Sequence, residues 1–276
     1  MSQMRAALVL GRGALGRTLA GALDLPLLPG RSTAAEVEQA LTQSGSGIVL
    51  LALPDSALAG AAAELALIPP RQLQGLVHLA GGHTLEVLRA ARDAGHPVGS
   101  MHPLQAFSSV RSRRAFAGVS FAVDASSVPL ELALERMARR LGGTPHHLAA
   151  ADRPLYHAAA VLAGNGLVAL AALARDLLCE AGWSSSDAVT ALVPLMRGAL
   201  DGLDREGLPA ALSGPLRRGE EEVVRLHLGA LSRPGRERAR RAYQVLGLSA
   251  LDLARELGLE PARGEVLQGM LEEVSA

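Results

Sequence analysis

Gly11-Arg12-Gly13-Ala14-Leu15-Gly16 constrain this chain more than any other residues, because they fit G-x-G-x-x-G in a defined place. They directly follow the apolar run Arg5 to Leu10 (RAALVL), long enough for a buried strand, and open an Ala/Leu-rich helical stretch to about Leu23. In a chain with 30 glycines the spacing alone would carry little. Its place between strand and helix makes it a dinucleotide-binding turn. Gly11 permits the tight turn, Gly13 lets a pyrophosphate reach the backbone, and Gly16 brings the helix close to the sheet. The amides of the helix start, from Ala14 and Leu15, face the phosphates.

The second strand candidate indicates which dinucleotide. An NAD site places a carboxylate about 20 residues on, at the end of that strand. Here Leu25 to Leu28 is followed by Pro29-Gly30-Arg31-Ser32-Thr33, without a carboxylate, and Asp24 comes too early. A guanidinium at Arg31 with hydroxyls at Ser32 and Thr33 suits a 2′-phosphate, so the expected cofactor is NADP. Arg31 as a solvated loop residue is the plainer alternative. Arg12 could cover the adenine or add a second charge. Leu53, Pro54 and Asp55 end the apolar run GIVLLAL and should lie beside the ribose or nicotinamide. Asp55 or Ser56 could equally cap the next helix. His78-Leu79-Ala80-Gly81-Gly82-His83 should face the same crevice, with His83 a candidate for substrate contact.

Apolar runs at Gly75 to Leu79, Pro97 to Met101 and Val119 to Val123 continue the alternation of strands and helices, with helices over Ala34 to Thr42, Thr84 to Ala94 and Leu130 to Leu141. This predicts an α/β fold: a Rossmann-type, mainly parallel sheet in a dinucleotide-binding domain over residues 1–150. Residues 151–276 contain no good strand and are expected to form an all-helical dimerisation and substrate domain. Helices are expected at about 153–181, 185–202, 208–213, 219–230, 233–246 and 249–257. Ala and Leu dominate a 49 % hydrophobic composition with only 2 % aromatics, which suits closely packed helices. The apolar stretch Leu155 to Leu178 is interrupted by polar residues and is expected to be a buried helix rather than a membrane span.

The order of features resembles the family of Rossmann-like proteins with a DUF2520 C-terminal domain. It is similar more distantly to pyrroline-5-carboxylate, ketopantoate and β-hydroxyacid reductases. The resemblance rests on Gly11 to Gly16, Arg31-Ser32, Leu53-Pro54-Asp55, Met101 to Phe107, Tyr156-His157 with Asn165, and Ser213 to Gly219. It implies an NADP-type domain and a homodimer built through the helices. Where β-hydroxyacid dehydrogenases carry a lysine four residues before an asparagine, this chain has Val161 before Asn165. Valine cannot protonate an alkoxide, which weakens that particular reading.

His157, His102 and Asn165 are the candidate catalytic residues. A histidine titrates near neutrality and can give a proton to a reduced carbonyl or imine. On one continuous helix, Asn165 would lie on a broad face shared with His157 and could orient substrate or nicotinamide. His102, before Pro103, is a second acid or shapes a rigid loop. Arg217 or Arg218 could bind a substrate carboxylate, or belong to an ordinary helix connection.

The leading expectation is an NADP-dependent oxidoreductase passing hydride to or from a small carbonyl or imine in a crevice between the domains. The alternative is an NADP(H)-binding sensor or scaffold that catalyses nothing. The zero net charge gives no footprint for nucleic acid or an anionic membrane. Neither partner is expected. His146-His147 lacks partners at metal-ligand spacing, so no metal site is expected. The single cysteine, Cys179, is expected to be a buried thiol. Without the pattern of a signal peptide at the N-terminus, a cytoplasmic location is expected.

Overall fold

The computed structural model describes residues 7–273 and divides into two compact units, 1–164 and 165–276. The division falls between Gly164 and Asn165, downstream of residue 150, because the helix Arg153–Ala163 belongs to the first unit.

The first unit is built on a seven-stranded sheet with order β2-β1-β3-β4-β5-β6-β7. Its elements are β1 (Ala7–Leu10), α1 (Ala14–Leu23), β2 (Leu27–Leu28), α2 (Ala34–Ser44), β3 (Ile48–Leu51), α3 (Asp55–Leu65), β4 (Gly75–His78), α4 (Arg89–Asp93), β5 (Val98–Pro103), β6 (Ser120–Ala125), α5 (Val128–Arg140), β7 (Thr144–His147) and α6 (Arg153–Ala163). Residues Arg5 and Ala6 of the first expected strand lie outside the described residues. All strand pairs are parallel except β5 with β6. The chain runs from β1 outward to β2 and then crosses back to β3, so the strand order reverses between β1 and β3. A sheet of this kind binds ligands in the crevice beyond that point. β1, β3 and β4 are buried along their whole length, as their continuous apolar sequences require.

Two apolar layers cover the faces of the sheet. One joins Val9, Leu50, Val77, Met101 and Phe121 to Leu19 of α1 and Leu134 of α5. The other joins Leu8, Val49, Leu76 and Val98 to Val37 of α2 and Leu58 of α3. Thr33 caps α2 in a full capping box with Glu36.

The described residues of the second unit contain helices and no strand: α7 (Asn165–Glu180), α8 (Ser185–Glu206), α9 (Pro215–Arg218), α10 (Glu221–Leu231), α11 (Glu237–Glu256) and α12 (Pro261–Glu272). Its core is small, made of Val224, Leu228, Leu251, Leu267 and Leu271.

Several expectations need correction. The single helix over 153–181 is two, interrupted at Gly164 (φ −93, ψ −71), so the spacing of a continuous helix does not relate His157 to Asn165. Nor is this stretch buried: within the chain, Arg153 is the buried residue of α6 and α7 has none. By length and composition alone, Ala150–Glu180 would suffice to cross a membrane. Cys179 is half-buried, not enclosed in a core. Residues 208–213 form turns between Gly207 and Gly214, both at positive φ, instead of a helix. The expected helices 233–246 and 249–257 are the single α11. The helix α3 starts at Asp55 behind Pro54, so neither Asp55 nor Ser56 is its cap.

Candidate functional site

The glycine turn has the geometry expected of it. Gly11 sits at φ +123, and a Cβ there would lie 2.2 Å from the Ala52 carbonyl oxygen. Only glycine fits. A Cβ on Gly16 would lie 2.0 Å from the Gly11 carbonyl oxygen, so helix and turn are in direct backbone contact. Gly13 is different: a Cβ there would meet nothing within 4 Å. It is the N-cap of α1, has no side-chain cap, and takes the first helical bond from the Arg17 amide. The amides of Ala14, Leu15 and Gly16 thus precede the helical ladder, and the space beside Gly13 is open. That is a cradle for a phosphate group.

Arg31, Ser32 and Thr33 line a cavity of about 340 Å³ with Gly30, Ala57, Gly60 and Glu64. Arg31 has no side-chain partner among the described residues. Thr33 is committed elsewhere, since its hydroxyl accepts the Glu36 amide hydrogen. Leu53 reaches across the turn, its Cδ2 lying 2.6 Å from where a Gly30 Cβ would be. Arg12 is exposed, and its carbonyl oxygen accepts from the Arg17 side chain. The cradle, the adjoining cavity and the free guanidinium fit a dinucleotide carrying a 2′-phosphate.

Beyond β4 and β5 lies a second constellation, wholly within the first unit. Asp55 pairs with His83 Nε2 at 3.1 Å, both partly exposed. Arg153, Tyr156 and His157 share one face of α6, at i, i+3 and i+4. The Tyr156 hydroxyl lies 2.7 Å from His102 Nδ1, with the rings edge to face. A Cβ on Gly81 would be 2.7 Å from His157 Nδ1 and 2.9 Å from His102 Nε2, so both nitrogens converge on the Gly81 backbone. Sequence reasoning placed His102 and His157 as candidates but did not foresee that they meet there.

Burial, with the charges of His157 and Arg153, lowers His102 to about 4, against a smaller opposing effect of Asp55. Burial raises Tyr156 to about 12. Both are neutral near pH 7. The phenol, the stronger acid, donates to Nδ1, which places the His102 hydrogen on Nε2, toward Gly81. Burial, and then the Arg153 charge, lower His78 to about 3.

Arg153 was read only as a helix start, and Ser100 not at all. A signal was present. A cation in the first turn opposes the helix dipole, so Arg153 needed another reason to be there. Asn165 is exposed at the start of α7 in the second unit. Arg217 and Arg218 line an 810 Å³ pocket of that unit with Gly214, Leu259 and Arg263, and Arg218 is engaged by Glu220. His147 pairs with Glu131, and His146 lies near the Ser120 hydroxyl.

Comparison with known proteins agrees with the fold. None of the curated proteins matches the chain in sequence. Among solved structures, BF3122 from Bacteroides fragilis, provisionally named an NADP oxidoreductase, superposes with a TM-score of 0.67. It is 24 % identical over 91 % of this chain and 99 % of its own. TM1727 from Thermotoga maritima gives a TM-score of 0.61 at 20 % identity, over 97 % and 98 %. Pyrroline carboxylate reductase from Plasmodium falciparum, solved with NADP bound, gives 0.58 at 11 % identity, over 99 % and 100 %. Residues 119–250 match DUF2520, a domain of unknown function, from β6 into α11. The resemblance seen in the sequence is therefore borne out: residues 119–250 match the DUF2520 domain, and the fold is that of Rossmann-like proteins.

Proposed function

We propose that the protein is an NADP-dependent oxidoreductase acting on a small carbonyl or imine beside His102. The observation that carries this reading is the open cradle over Gly13, next to a cavity lined by an unpaired Arg31. When bound, the dinucleotide supplies or accepts a hydride. Ala14 and Leu15 offer amides to its pyrophosphate. Arg31 and Ser32 hold the 2′-phosphate, with Arg12 adding charge at the rim. The segment Leu53-Pro54-Asp55 forms the wall beside the ribose and nicotinamide. His102 keeps a hydrogen on Nε2 and gives it to the substrate oxygen or nitrogen as the Tyr156 hydroxyl hydrogen passes to Nδ1, so the ring stays neutral. The charge left on the Tyr156 oxygen is eased by Arg153 until solvent returns a proton. His157 Nδ1, which approaches the same Gly81 position, is its polar neighbour, and His83 is the outer polar contact.

The second reading, an NADP(H)-binding sensor or scaffold, is favoured by Val161. That position is 42 % exposed and supplies no proton. Oxidation of NADPH by a panel of small oxo-acids and cyclic imines separates the two. Turnover that His102→Gln abolishes while NADPH still binds supports the enzyme. Tight NADPH binding with no turnover across the panel supports the sensor.

The same reading includes a homodimer in the cytoplasm. Val168 on α7 and Leu195 on α8 are 71 % and 70 % exposed, and Leu200 and Leu203 of α8 are exposed as well. Patches of this kind mark association sites. Sedimentation equilibrium should give twice the 28.5 kDa chain mass, and Val168→Glu with Leu195→Glu should give the monomer.

A further inference from the structure

The polar layer beside β4 and β5 has donors without acceptors. Eight buried side-chain nitrogens and oxygens lack a protein partner among the described residues, and six of them belong to His78, Ser100, Arg153 and His157. Arg153 is fully buried, and none of Nε, Nη1 and Nη2 meets an acceptor. His78 is also fully buried. Its Nδ1 accepts the Ala80 amide hydrogen at 3.3 Å, so the neutral ring carries its hydrogen on Nε2, which has no partner at hydrogen-bond geometry although the Thr84 backbone is near enough to act on the ring. Ser100 lies opposite His78 in the β4–β5 register, buried, with Oγ free. Asp124, opposite Ser100 in the β5–β6 register, is close enough for its charge to act on Arg153 but forms no ion pair with it among the described residues.

A guanidinium keeps its charge when buried, and the Asp124 charge acts on it without meeting any of its donors, which leaves the burial unfavourable. Water satisfies single donors of this kind but leaves the guanidinium charge uncancelled. An anion accepts from every side and cancels the charge. We propose that Arg153, His78 and Ser100 form a buried site for a small monovalent anion, either a halide or the carboxylate group of a small molecule. The site lies along α6 from the His102–Tyr156 pair and does not depend on the redox reading.

The test is chloride NMR line broadening on the full chain in a bulky sulfonate buffer, with thermal shifts in formate alongside. Arg153→Met and Ser100→Ala are compared with the wild type. Saturable chloride broadening, lost in Arg153→Met and weakened several-fold in Ser100→Ala, is expected for a halide. Saturable stabilisation by formate with the same mutant pattern, and no chloride broadening, assigns the site to a carboxylate. The absence of saturable binding of both anions by the wild type overturns the proposal. So does undiminished binding in Arg153→Met. If that variant does not fold, Arg153→Lys and Ser100→Ala take its place, and unchanged affinity in both overturns the proposal equally.

Discussion

Tyr156 donates its hydroxyl hydrogen to Nδ1 of His102 over 2.7 Å, across rings set edge to face at 90°. This bond fixes the His102 tautomer. Tyr156→Phe should therefore leave a mixture of His102 tautomers in nitrogen-resolved NMR, where the wild type shows hydrogen on Nε2 alone. Loss of the bond should cost about 1 kcal/mol of stability. NADPH affinity should not change.

The two turn glycines should separate folding from binding. Gly11→Ala meets both a positive φ and the Ala52 carbonyl, and should destabilise the fold by well over about 2 kcal/mol in chemical denaturation. Gly13→Ala meets no protein atom and should cost less than about 1 kcal/mol. It should nevertheless weaken NADPH binding by at least about tenfold, because its methyl group occupies the phosphate cradle.

His78 and His102 impose a pH dependence on stability. Their folded values, about 3 and about 4, lie below the ordinary 6.5 that applies to the unfolded chain. Between these values the unfolded chain takes up protons that the folded protein refuses. Stability is thus complete above pH 6.5 and falls as the pH drops from 6.5, toward about 4 for His102 and about 3 for His78. Thermal midpoints measured across that window should decline, and His102→Gln should make the decline shallower.

Much of the first unit was legible because β1, β3 and β4 are continuous apolar runs punctuated by glycine and proline. The strand β7 was not, because Thr144-Pro145-His146-His147 is polar and sits at the sheet edge, where no burial pattern is imposed. The helix α12 escaped because Gly264 and Gly269 dilute its helical signal, although Glu260 before Pro261 is a cap that accepts two amide hydrogens. The glycine turn could be assigned glycine by glycine, since steric need is local. The meeting of His102 with Tyr156 and His157 could not, because it joins β5 to a helix 54 residues away, and no periodicity records such a contact.

Thr33 separates structural from binding roles beside Arg31. Its side chain closes the capping box of α2, so Thr33→Ala should lower stability by about 1 kcal/mol in urea denaturation. The preference for NADPH over NADH should survive in that variant, because Arg31 and Ser32 remain.

The most direct test of the central claim is a calorimetric titration with NADPH and with NADH, repeated on Arg31→Ala. The account predicts tight NADPH binding, weak NADH binding, and a loss of at least about tenfold in NADPH affinity alone when the guanidinium is removed. Failure of the wild type to bind either nucleotide, or an Arg31→Ala variant that binds NADPH as the wild type does, would contradict it.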